Sequence, residues 1–141
     1  MPVYLLDTDH MSLLRRGGAN ALRLEMRLIA ISETEIVTCV IVYEEQCKGW
    51  RAKTSREKEE ALLRAYVQSG QHLEIYARII VLPYDVHAHA LFRTLQIQKF
   101  RIGTQNLKIA AIALANNATV LTRNTSDFAR IPNLLLEDWS V

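Results

Sequence analysis

Two hydrophobic rhythms alternate along the chain. Unbroken apolar runs stand at Val3–Leu6, at 35–40 (EIVTCV), at 79–82 ahead of Pro83, at 119–122 and, more briefly, at 134–136. Their shortness and β-branched content predict five strands. Runs that are apolar on both faces suit a parallel sheet covered by helices on either side. Between them, apolar residues recur at three- and four-residue intervals, which predicts helices over 19–31, 42–49 and from about 54 to 78. Thr54 and Glu57 have capping-box spacing at the head of the last of these. Asp85 is placed to cap a helix carrying Ala88, Leu91, Phe92 and Leu95, and the segment 107–116 (LKIAAIALAN) is so small and apolar that it is expected to pack centrally. With no repeat, low-complexity tract or linker, and with Gly17-Gly18 and 51–55 reading as local loops, residues 1–141 are expected to form one α/β domain.

Four short polar residues interrupt these buried-looking segments. Asp7 ends the first apolar run, Glu44 lies one turn into the helix after the second, Asn106 opens the apolar helix, and Asp127 follows the fourth run. Open α/β sheets bind ligands beyond the carboxyl ends of their strands, and oxygen ligands gathered there hold hard cations such as Mg²⁺ or Mn²⁺. Each residue also has an ordinary reading. Asp7 caps a following helix, Glu44 pairs with Lys48 one turn on, and Asn106 and Asp127 satisfy free N–H groups at helix starts. One shared site accounts for all four more economically than four separate explanations.

Composition narrows the setting. Half of the 141 residues are hydrophobic, enough to bury a core without disulfide or metal staples. Seventeen basic against fifteen acidic side chains give a net charge of +2, so no overall basic field announces nucleic acid. Local phosphate contacts remain open to Arg15, Arg16, Lys99, Arg101, Lys108 and Arg123. Cys39 and Cys47 lack a metal or framework spacing and read as buried free thiols of a reducing compartment. The first residues lack a secretion signal, and no apolar run is long enough to cross a membrane, so a soluble, cytoplasmic protein is expected. His10 is expected on a helix surface, and His87 and His89 diverge on a helix rather than forming a zinc site. Trp50 and Trp139 are expected to pack rather than to stack on bases.

Taken in order, Tyr4-Leu-Leu-Asp7-Thr-Asp9, Val42-Tyr-Glu44-Glu45, Arg101-Ile-Gly-Thr-Gln-Asn106-Leu-Lys-Ile-Ala-Ala111 and Thr122-Arg-Asn-Thr-Ser-Asp127-Phe128, followed by Ile131-Pro132 and Glu137-Asp138-Trp139, resemble a PIN-domain ribonuclease. The likeness is to the VapC-type toxins of bacterial toxin–antitoxin modules, and it runs over nearly the whole length. It implies a three-layer α/β/α sandwich around a central parallel sheet, usually homodimeric, with an antitoxin segment lying across the active groove. It also implies that Asp7, Glu44, the position of Asn106 and Asp127 hold Mg²⁺ or Mn²⁺ for cleavage of an RNA phosphodiester, with a structured RNA such as transfer RNA as the expected substrate. Thr8, Asp9 and Asn124 would support those ligands. Phosphodiester hydrolysis needs activated water and screening of phosphate charge, which such a cation supplies.

One position departs from the pattern. The family calls for aspartate where this chain has Asn106, which keeps the carbonyl oxygen and loses a charge, so metal affinity and activity are expected to fall. A second reading is therefore a non-catalytic PIN-fold module that binds antitoxin or RNA. A third is a haloacid-dehalogenase-like phosphatase, suggested by Leu5-Leu-Asp7-Thr-Asp9 but lacking the Thr or Val at position 11 and the paired late aspartates of that motif.

Overall fold

The computed structural model describes residues 2–141. Five strands, β1 (Val3–Leu6), β2 (Ile36–Cys39), β3 (Ile80–Leu82), β4 (Ala118–Leu121) and β5 (Leu136–Glu137), form one all-parallel sheet in the order β3-β2-β1-β4-β5. All five expected strands are present within two residues of the expected positions. Around them lie α1 (Thr8–Arg16), α2 (Ala19–Leu28), α3 (Val40–Arg56), α4 (Glu59–Ala77), α5 (Val86–Ile97), α6 (Thr104–Ala115) and the single turn α7 (Thr125–Phe128). This is the expected α/β architecture with a central parallel sheet covered by helices.

Burial explains the pattern. Leu5, Leu6, Val120 and Leu121 on the two central strands are wholly inaccessible, as are Ile109 through Ala113 of α6, the helix expected to be central. Each fully buried leucine or isoleucine contributes about 1.5–3 kcal/mol relative to an exposed one. Asp85 caps α5 as expected, its Oδ1 accepting from the Ala88 N–H at 2.9 Å. Gly17 and Gly18 carry positive φ angles of 76° and 97° in the tight turn between α1 and α2, a conformation that costs a residue with a Cβ.

The capping box at Thr54 and Glu57 does not form. α3 continues through Arg56, Thr54 Oγ1 bonds back to the Trp50 carbonyl at 3.0 Å, and α4 begins only after Lys58. α3 runs two turns past the apolar stretch that marks it, and there the half-buried Trp50 and Lys53 bond across to His72 and Gln68 of α4. His10 is a second correction. It faces inward and is completely buried, where an amphipathic reading of a short helix with one histidine placed it outside.

Candidate active site

β1 lies between β2 and β4 at the point where strand order reverses, and its last residue leads into Asp7. The carboxyl end of β1 is pinned from both sides. Thr38 Oγ1 of β2 donates to the Leu6 carbonyl at 2.8 Å, and the Asp7 N–H donates to the Leu121 carbonyl of β4 at 3.1 Å. Asp7 is then buried, and its Oδ1 caps α1 by accepting from the His10 N–H at 3.1 Å. Such a cap stabilises by about 1 kcal/mol. The capping role read from the sequence is thus real, and it fixes the carboxylate at the switch point of the sheet, where this class of fold binds ligands.

His10 extends that support. Its Nε2 accepts from the Trp139 N–H at 3.2 Å, which assigns the ring hydrogen to Nδ1, 3.6 Å from Asp7 Oδ1. The other flank of the ring meets Asp138, whose Oδ1 is 3.7 Å from Nε2. Partial burial pushes the Asp138 carboxyl up, but hydrogen bonds from the Ser140 hydroxyl and N–H, and the nearby Arg123 charge, hold it below the usual range. The C-terminal Asp138-Trp139-Ser140 segment therefore braces the residue behind Asp7. Sequence reasoning missed this because the two partners are more than a hundred positions apart.

The glutamate is the main change from expectation. Glu44 is exposed and pairs with Lys48 at 3.0 Å, the ordinary reading. Its neighbour Glu45 turns toward Thr8 and Asp7. Burial pushes the Glu45 carboxyl above its ordinary value, the adjacent Thr8 hydroxyl opposes, and the charges of Asp7 and Glu44 push further up. Glu45 Oε1 is buried with no hydrogen-bond partner. Helical phase decides between the two: on α3, Ile41, Val42, Glu45 and Gln46 share the inward face, while Glu44 and Lys48 share the outward one. The buried Ile41 and Val42 pair was the signal that could have chosen Glu45 from sequence.

Asn106 is half-buried in the first turn of α6, and its side chain makes no hydrogen bond among the described residues. Asp127 sits in α7 with both oxygens occupied, Oδ2 accepting from Asn124 Nδ2 at 3.0 Å and Oδ1 lying 3.5 Å from Arg130 Nη1. Asn124 is itself held by its N–H on Thr122 Oγ1 at 2.8 Å. Asp9 is exposed. Among the described residues no three acidic, histidine or cysteine side chains stand together as a preformed metal cluster. What the fold brings together is the pair Asp7 and Glu45, with Thr8 between them.

This geometry has relatives. A ribonuclease VapC2 of Rickettsia felis is 27% identical to this chain, covering 97% of it and 98% of the relative. The chain resembles the VapC-type PIN-domain ribonucleases over nearly all of its length. A ribonuclease VapC1 of Haemophilus influenzae is 26% identical, covering 98% of each chain. Among solved structures, VapBC2 from Rickettsia felis bound to a promoter DNA fragment superposes with a TM-score of 0.71 at 28% identity, covering 97% of this chain and 98% of that one. VapBC-1 from nontypeable Haemophilus influenzae gives 0.76 at 24% identity with 99% of both chains covered, a likeness of fold. No protein-family model matches the chain.

Proposed function

We propose that the chain is a divalent-metal-dependent endoribonuclease of the toxin type, acting on structured RNA with transfer RNA the favoured class, and attenuated by Asn106. The observation that carries this reading is the buried Asp7 beside the half-buried Glu45 at the switch point of the sheet, with a buried, unpartnered carboxylate oxygen on Glu45. That donor set fits a hard cation. The Asp7 charge adds to burial in raising the proton affinity of Glu45, and Mg²⁺ or Mn²⁺ would relieve that repulsion with the oxygen ligands it prefers. Asp7 and Glu45 would hold the ion, and the Asn106 amide oxygen would be a neutral donor in place of a third charge. When bound, the ion supplies Lewis-acid screening of the phosphodiester's negative charge.

The remaining work falls to the chain. Asp7 is kept rigid by its backbone bond to β4, its cap on α1 and His10 behind it. Glu45, pushed up by burial beside Thr8, is the group suited to accept a proton from attacking water. Asp127, oriented by Asn124 and Arg130, adds negative potential at the same sheet edge rather than a free ligand.

An antitoxin protein is the proposed partner, in keeping with the toxin–antitoxin assemblies among the solved relatives. A groove of about 570 Å³ between α3 and α4, lined by Tyr43, Cys47, Trp50, Tyr66, Leu73 and Tyr76, suits an apolar segment of it. A homodimer is proposed from the exposed apolar residues Leu22 and Met26 on α2, Ile29 at its C-terminal cap, and Leu63 and Val67 on α4. No helix of the described residues is long and apolar enough to cross a membrane.

The deciding experiment is Asn106→Asp. It should restore Mg²⁺- or Mn²⁺-dependent cleavage of a cellular RNA pool and make expression toxic. In that background Asp7→Asn or Glu45→Gln should abolish both, while Glu44→Gln should leave them standing. Asn106 itself favours the second reading, a PIN-fold module that binds antitoxin or RNA without cutting. An Asn106→Asp protein that folds, binds Mn²⁺ and cuts nothing would select it.

A further inference from the structure

Beside Glu45 a cavity of about 270 Å³ opens between α1, α3 and α4, with Ser12, Arg15, Trp50, Lys53 and His72 in its wall. Its chemistry is that of hydrogen-bond donors. Arg15 and Lys53 lie over the Trp50 ring, 5.0 Å and 5.3 Å from its centroid, and neither has a carboxylate partner among the described residues. Among the described residues the Lys53 ammonium makes one hydrogen bond, to a neutral amide, Gln68 Oε1, at 3.3 Å. Trp50 Nε1–H donates to His72 Nδ1 at 2.6 Å, so the neutral ring carries its hydrogen on Nε2 and is a donor there. Ser12 Oγ accepts from Gln46 Nε2 at 3.0 Å, which leaves the serine hydrogen free to donate.

Unsatisfied donors of the described residues meet here. Four buried side-chain nitrogen or oxygen atoms lack a hydrogen-bond partner among the described residues, and two of them, the donors Arg15 Nε and His72 Nε2, belong to residues of this wall, while the acceptor Glu45 Oε1 marks its acid edge. A native fold does not leave polar groups unpaired without cause. Two unpaired cations against one carboxylate leave the wall net positive. We propose that this cavity is a phosphate subsite, which on the ribonuclease reading receives a backbone phosphate of the RNA strand next to the scissile one that a cation at Asp7 and Glu45 would screen. A phosphodiester monoanion, which only accepts, satisfies donors of Arg15, Lys53, Ser12 and His72 together, and Glu45 in the same wall sets the subsite directly beside the acids. The Trp50 ring, itself fixed by its hydrogen bond to His72, holds the two cations in place before the strand arrives, so that little side-chain entropy is lost on binding.

The test uses the full chain with Asn106 in place, in EDTA, so that no cleavage intervenes. Binding of a fluorescein-labelled single-stranded octauridylate is followed by anisotropy across a sodium chloride series, and the His72 ring resonances are followed by NMR as inorganic phosphate is added. Lys53→Gln, on a half-buried position whose loss leaves the core intact, should weaken RNA binding severalfold and lower the slope of log affinity against log salt by about 0.7, the signature of one lost phosphate contact to a single strand. Arg15→Gln should do the same. Arg56→Gln, an exposed cation farther along α3, should change neither. Phosphate should shift the His72 resonances in the unaltered chain and not in Lys53→Gln. Unchanged slopes for Lys53→Gln and Arg15→Gln, an equal effect of Arg56→Gln, or His72 resonances that respond only to an acidic peptide would overturn the proposal even if Asn106→Asp cuts RNA. Conversely, phosphate-shifted His72 resonances in a chain whose Asn106→Asp form cuts nothing would keep the subsite and remove the nuclease.

Discussion

Acidifying the protein from about pH 7.5 to about pH 4.5 should force a charge onto His72 that the fold disfavours, and the size of the effect follows from its surroundings. His72 is buried; loss of solvent, and then the nearby Arg15 charge, lower its pKa from 6.5 to about 4. The Trp50 N–H on Nδ1 acts in the same direction, because a doubly protonated ring cannot accept it. For a base whose pKa is depressed by folding, the unfolded chain binds the proton first. The contribution of His72 to stability is therefore complete above pH 6.5 and falls away as pH drops from 6.5 toward 4. With these two values the loss between the two conditions is about 2.5 kcal/mol, a sizeable part of the ~5–15 kcal/mol that holds a domain together. Urea denaturation of the wild type and of His72→Asn at both pH values isolates it. Asparagine offers Oδ1 to Trp50 and does not titrate, so its packing defect cancels in the comparison, as do the other groups that titrate in both proteins. The stability difference between the two proteins should shrink by about 2.5 kcal/mol on acidification. A difference that stays constant within about 0.5 kcal/mol would refute the account, and with it the assignment of Nε2–H as a donor in the cavity wall.

The two adjacent glutamates should separate by the same logic with the opposite sign. Glu45 is raised by folding, so its contribution is present below the ordinary glutamate range and is lost as pH rises through the raised value. Metal-free Glu45→Gln should therefore be more stable than wild type near neutral pH, with the gap closing on acidification, whereas Glu44→Gln should move stability by less than about 0.5 kcal/mol because its Lys48 pair is exposed. Urea midpoints across pH distinguish them, and equal behaviour of both variants would return Glu44 to the site. Self-association is read by light scattering: the chain should give a dimer mass at micromolar concentration, and Ile29→Glu or Leu63→Glu, both on strongly exposed positions, should reduce it to a monomer. A monomer at every concentration would sink that proposal.

The sequence by itself determined the element order, the parallel sheet and the place of Asp7, because a run of four apolar residues ending in a carboxylate is a local pattern that does not depend on what packs against it. It also determined that Asn106 stands in the first turn of an apolar helix and Asp127 just beyond β4. Ile41 and Val42, one turn before Glu45 and Gln46, hinted at the helical phase, but the tertiary structure decided that Glu45 rather than Glu44 turns toward Asp7. Two consecutive helical residues point about 100° apart, and the choice between them depends on where α1 and β1 lie against α3. The burial of His10 was likewise illegible, since its partners Trp139 and Asp138 arrive from the far end of the chain. The same holds for the cavity formed by Arg15, Trp50, Lys53 and His72. Their charges and rings are ordinary residues of three amphipathic helices until the helices pack, and unpaired donors become a binding surface only when folding removes the water that would otherwise satisfy them.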